Sequence, residues 1–211
     1  MTQHYDKSPH RHLYENRILY LSGDITTTSA DQVVAGLVAL DAIDHEAEIK
    51  LYLSSFGGSV YAGLAVYDAM MLVRAPVSTL CIGPAFSMAA WLLAAGAPER
   101  RYASQNARIM LHQASAGFSG TTGDIKVAAE NILQNQDLLT EILALHTGRD
   151  SVDVARMIDR DLWLTAEQAL EVGIIDGIIP ACGRKMGELA LLRRKNVFTI
   201  DVDPMRSRRS G

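Results

Sequence analysis

Residues 77–96 read VSTLCIGPAFSMAAWLLAAG. Positions 77–82 are mostly apolar or β-branched and carry no charge, the composition of a strand buried in a parallel sheet, and Gly83-Pro84 predicts its end and a tight turn. From Met88 onward the residues are small or apolar helix formers, closed by Gly96 at a position suited to a left-handed cap. Ser87 stands at the junction. Its hydroxyl is either an N-cap that accepts a backbone N–H or a nucleophile presented at the positive end of a helix dipole. These residues alone leave both open.

Upstream the arrangement repeats. Ile49-Lys50-Leu51-Tyr52-Leu53 predicts a strand that ends in Ser54-Ser55-Phe56-Gly57-Gly58-Ser59, and a helix follows from about residue 61 to 73. Paired glycines let the backbone approach a ligand and turn an N–H outward. Two such turns at one end of adjacent parallel strands offer backbone N–H groups to a single substrate oxygen. Further upstream, Arg17-Ile18-Leu19-Tyr20-Leu21 predicts a short strand ended by Ser22-Gly23-Asp24, and Thr28-Ser29-Ala30-Asp31 opens a helix to about Ile43.

Downstream, a loop carrying Arg100, Arg101 and Tyr102 leads to a strand over 107–111, with His112 at its end. The segment 115–123 is rich in Ser and Gly and suits an extended peptide lying along it. Residues 124–147 predict the longest helix, whose apolar spacing is interrupted by Gln134, Asn135 and Gln136. Such a helix is long enough to project and pack against a second copy. A helical turn follows over 152–157, Thr165-Ala166-Glu167-Gln168 is a capping-type start for a helix ending at Gly173, and Ile174-Ile175-Asp176 begins the last strand. Strands alternating with helices, with no hairpin turn between neighbours, predict an α/β layered fold.

With 211 residues the chain is long enough for a full core, and 48% hydrophobic against 21% charged residues describes a globular protein. A net charge of −4 gives no footprint for nucleic acid or an anionic membrane. Cys81 and Cys182 form neither a disulfide framework nor a C-x-x-C pair, and His4, His10 and His12 lack a carboxylate or Cys partner, so no metal site is expected. The first residues show no apolar signal segment, and the apolar stretch at 77–97 is broken by Gly83, Pro84 and Ser87. A cytoplasmic protein without membrane spans is the expectation. Residues 1–16 are expected to be flexible and 181–211 to form an extension with a short basic tail.

Hydroxyl attack on an amide at neutral pH needs a nucleophile, a base and an acid that orients the base, and Ser87, His112 and either Asp159 or Asp161 can supply them. At this point SSFGGSVYAG (54–63), GPAFSMAAWLLAAG (83–96), NARIMLHQ (106–113), LHTG (145–148) and RDLWLTAEQALEVGIID (160–176) are closely similar to ClpP, the proteolytic subunit of the Clp protease, over about residues 17–180. The resemblance implies a crotonase-like fold of stacked βαβ units with a projecting handle helix at 124–147. It implies a catalytic triad of Ser87, His112 and Asp161, and an oxyanion hole from the backbone N–H groups of Gly58 and Met88. Heptameric rings stacked as a tetradecamer with Arg160 at the contact between rings are implied too, as are an AAA+ ATPase such as ClpX, ClpA or ClpC, unfolded polypeptide substrates and no cofactor.

Four features depart from the family pattern. Phe56 replaces its usual proline beside the glycine pair, Pro84 and Phe86 replace smaller or polar residues, Lys50 stands where many members carry a docking aromatic, and the segment before Glu15 lacks the axial-loop pattern. The alternative expectation is a divergent paralogue with a mainly structural or regulatory role in a mixed ring.

Overall fold

The computed structural model describes residues 9–114, 117 and 119–180. The expectations for His4, Cys182 and the basic residues of 193–209 lie outside them. Among the described residues, one sheet holds β1 (Ile18–Ile25), β2 (Ile49–Gly58), β3 (Val77–Phe86), β4 (Arg101–Ser104), β5 (Arg108–Leu111), β6 (Leu162–Thr165) and β7 (Gly177–Ile179). The helices are α1 (Pro9–Glu15), α2 (Thr27–Ile43), α3 (Val60–Leu72), α4 (Met88–Ala94), α5 (Thr122–Thr147), α6 (Ser151–Met157) and α7 (Ala166–Glu171).

Parallel neighbours cannot be joined by a tight turn, so each needs a crossover. The helices α2, α3 and α4 supply these between β1, β2, β3 and β4, which lie side by side in that order and end at β7. Strand β5 also pairs with β3, in parallel, and β6 closes antiparallel against β5. Alternation along β2 shows which face is covered: Ile49, Leu51, Leu53 and Ser55 are buried under helices, whereas Lys50, Tyr52 and Ser54 are half-exposed.

The observed elements depart from the sequence expectation where glycine was read as punctuation. Gly83-Pro84 does not end β3, which runs to Phe86 with Gly83 at φ 86°. Strand β1 likewise passes through Ser22-Gly23-Asp24 to Ile25 with a register shift, and β2 continues through Gly57-Gly58. The stretch around Arg101 and Tyr102 is strand β4, not loop; Ile174 and Ile175 are buried but precede β7. Residues 9–15, expected to be flexible, form α1 against β1.

Helix starts follow capping chemistry. Thr165 accepts from the Gln168 N–H while Gln168 bonds back, as its sequence predicts; α2 begins at the Thr26 cap with Ser29 reciprocating, slightly earlier than expected. Helix α5 starts from the Thr121–Asp124 box and ends at left-handed Gly148. It projects: only Leu139, Thr140, Ile142 and Leu143 are buried, while Ile125 and Leu133, read as part of its apolar face, are exposed. No helix of the described residues is long and apolar enough to cross a membrane.

Two buried polar links fix the base of α5. The Trp91 indole Nε1–H donates to the Leu139 carbonyl at 2.8 Å. The Arg101 guanidinium donates to Asp176 at 2.6 and 2.9 Å, to the Ala94 carbonyl at 3.2 Å and to the His146 carbonyl at 2.6 Å, so it joins β4, the end of α4, the end of α5 and the entrance to β7. Burial, with the Arg101 charge adding to it, holds the His146 imidazole below its ordinary pKa, and its Nε2 meets the Tyr67 hydroxyl at 3.2 Å. Asp176→Ala strands a buried cation and is expected to lower unfolding stability by about 3–5 kcal/mol, measured by urea denaturation. Cys81 is buried in β3 and its thiol is pushed up to about 12 by desolvation, so it should resist iodoacetamide at pH 8 until denaturant is added, as read by peptide mass mapping.

Candidate active site

The site grows out of one strand with two partners on the same side. Residues Thr79–Cys81 of β3 pair with β4, and Pro84–Phe86 pair with β5. Phe86 is registered with Met110, and the Ser87 N–H donates to the Met110 carbonyl at 2.8 Å. That register leaves His112, just beyond the end of β5, beside Ser87. Their side chains meet, with Ser87 Oγ and His112 Nε2 2.8 Å apart.

Ser87 does not cap α4. Its backbone stands at φ 51° and ψ −134°, and its side chain makes no cap bond to the first turn. A non-glycine residue held there costs about 1–3 kcal/mol, a strain that clusters at functional turns. The sharp strand-to-helix turn presents Oγ outward, and Met88, first residue of α4, has an N–H that intrahelical bonding cannot satisfy.

Glycine is demanded at the neighbouring turn. A Cβ on Gly57 (φ 95°) would lie 2.6 Å from Ser87 Cβ and 2.7 Å from the Phe86 carbonyl, and one on Gly58 (φ 152°) would lie 2.3 Å from the Ile25 carbonyl. The Gly57 N–H donates to the buried Ser55 Oγ at 3.0 Å, which fixes the turn from within.

Strand β6 brings Asp161 toward the same end of the sheet. In the β5–β6 ladder Met110 faces Trp163 and Leu111 faces Leu162, where the pairing ends, so His112 and Asp161 each stand one residue beyond the last pair. The Asp161 carboxylate is exposed and makes no hydrogen bond or ion pair among the described residues. Asp159, the other acid weighed from the sequence, accepts from Gln113 Nε2 at 3.3 Å and sits 3.7 Å from Arg160, which is 93% exposed.

A family model described as Clp protease matches residues 2–181. The chain belongs to the Clp protease family. Its mostly parallel mixed α/β sheet is consistent with the fold of that family, and membership gives this Clp protease relative a peptidase character. The paired departures Phe56 and Phe86 acquire a physical account: their rings meet edge to face at 5.4 Å, and Phe86 meets Trp163 at 5.0 Å. Each contact contributes about 0.5–1.5 kcal/mol and ties together the ends of β2, β3 and β6. Among the described residues no group of three or more His, Cys, Asp or Glu is placed to hold a metal ion.

The sequence reading overlooked the polar contacts that hold α5 against the site. Gln136 bonds the Ala114 N–H and Tyr61 bonds Asn131. The interruption at 134–136 signalled Gln136 but not Asn131.

Gly57→Ala should force Ser87 off its partner. The expected outcome is a folded chain, by circular dichroism, in which fluorophosphonate labelling of Ser87 falls by about 100-fold, the cost of roughly 1 Å of misplacement.

Proposed function

We propose that this chain is a Clp-type serine endopeptidase subunit, with Ser87 as nucleophile, His112 as general base and Asp161 as the acid that orients it. The observation that carries the reading is the 2.8 Å contact between Ser87 Oγ and His112 Nε2, at a strained turn that turns the hydroxyl away from capping. Oγ attacks the scissile carbonyl carbon as His112 Nε2 takes its proton. The oxyanion is received by the N–H groups of Gly58 and Met88, and His112 then delivers the proton to the leaving amine. Water repeats the sequence on the acyl-enzyme and frees the serine. No cofactor enters any step.

In this reading the chain works in heptameric rings stacked as a tetradecamer, with the exposed Arg160 at the contact between rings and projecting α5 as the handle. A AAA+ ATPase of the ClpX, ClpA or ClpC kind feeds unfolded polypeptide into the chamber, in the cytoplasm. In such a chamber, exclusion of folded proteins restricts what reaches Ser87.

One observation favours a second reading, a mainly structural or regulatory subunit of a mixed ring. The Asp161 carboxylate is not bonded to His112, so the proposed third member of the triad is unengaged in the single chain. A fluorogenic peptide assay and fluorophosphonate labelling of the purified oligomer separate the two. Labelling at Ser87, and hydrolysis that Ser87→Ala lowers by at least about 10³-fold and Asp161→Asn by about 10²-fold or more, are expected. Absence of labelling in the assembled particle, partner rings included, would sink the peptidase reading.

A further inference from the structure

Helix α5 holds both flanks of the site through side-chain amides. On one flank, the Ala114 N–H, two residues beyond His112, donates to Gln136 Oε1 at 2.8 Å. The Gln136 amide is itself oriented, because its Nε2 donates to Thr140 Oγ1 at 3.4 Å while that hydroxyl donates to the Gln136 carbonyl at 2.8 Å. On the other flank, the Tyr61 hydroxyl donates to Asn131 Oδ1 at 2.7 Å, and Asn135 Nδ2 donates to Tyr61 Oη at 3.3 Å. Tyr61 is the second residue of α3, two residues beyond Gly57-Gly58-Ser59.

The need for such a hold follows from the ladder. Pairing between β5 and β6 stops at Leu111 and Leu162, so His112 lies past the last sheet pair and leads into the small-residue sequence 114–120. Strand pairing fixes the backbone before the imidazole; something else must fix it after. Gln113 reaches only the exposed Asp159, at 3.3 Å, whereas the Ala114–Gln136 bond is shorter and half-buried.

We propose that Gln136 is a positioning residue that holds the His112 imidazole against Ser87, with Asn131 and Asn135 steadying the glycine turn through Tyr61; the proposal rests on the peptidase reading above. The bond needs an acceptor at position 136, not an amide as such. Glutamate keeps an oxygen there, and leucine keeps the bulk without it.

The test compares Gln136→Ala, Gln136→Leu and Gln136→Glu with the unmodified chain and Ser87→Ala, all as assembled oligomers, on one fluorogenic peptide. The expected result is a kcat lower by about tenfold or more for the Ala and Leu variants with KM within about twofold, and return to within about threefold of the unmodified kcat for Glu. Glu behaving like Leu, or Ala behaving like the unmodified chain, overturns the positioning role and leaves the peptidase reading intact. If the unmodified chain is no faster than Ser87→Ala, the peptidase reading fails, and a crystal structure of Gln136→Ala decides the inference. A Ser87–His112 separation beyond hydrogen-bond reach supports it, and one unchanged at 2.8 Å overturns it.

Discussion

Everything at the site depends on β3 changing partner partway along one edge. Its first half gives that edge to β4, its last residues give the same edge to β5, and the exchange happens at Gly83, whose positive φ few other residues tolerate. Without the exchange β5 would have no place beside Phe86, and His112 would end elsewhere. Because β6 is carried by β5, the segment that holds Asp161 follows from the same event. Ser87 and His112, far apart in sequence, are thus brought together by hydrogen-bond register, while Asp161 makes no bond to either.

The glycines around Ser87 serve this alignment by absence. A methyl group at Gly57 would occupy the space of the Ser87 side chain, and one at Gly58 would collide with the backbone of β1. Gly63 makes room in a softer way: an added Cβ would lie 2.1 Å from Met88 Cγ, so the Met88 side chain fills the space a side chain there would need. The nucleophile turn therefore sits on backbone and Ser55, which deform little. The row of Phe56, Phe86 and Trp163 binds the strand ends from the open face, although Phe56 and Trp163 remain 65% and 56% exposed. Helices thus pack on one side of these strand ends and rings on the other.

Much of this was legible in the sequence because it is local. The βαβ alternation, the caps at Thr165 and Gly148, and the placement of Ser87 between strand and helix all follow from short-range chemistry. What failed was the reading of glycine as a stop: Gly23, Gly57 and Gly83 bend or twist strands that continue, since the ladder bonds on either side outweigh a local preference for turning. Strand β4 was missed because Arg101 and Tyr102 look like loop residues until the Asp176 carboxylate, supplied from far along the chain, neutralises the buried guanidinium. That Ser87 makes no cap bond and meets His112 was likewise not readable locally, because its partner comes from another strand of the sheet. The amides of α5 broke an apolar pattern for a reason that exists only in three dimensions.

Helix α5 is mechanically a lever. Ahead of Asn131, which bonds Tyr61, about nine residues extend roughly 14 Å, so a rotation of about 5° there moves the tip by about 1 Å. The relation also runs backward: whatever grips the far end dictates the angle at the fulcrum, where Trp91 and Arg101 anchor the helix. Torque applied at one extremity of the molecule is therefore delivered to Gln136, Leu139 and His146, where the helix is bonded to the rest of the fold.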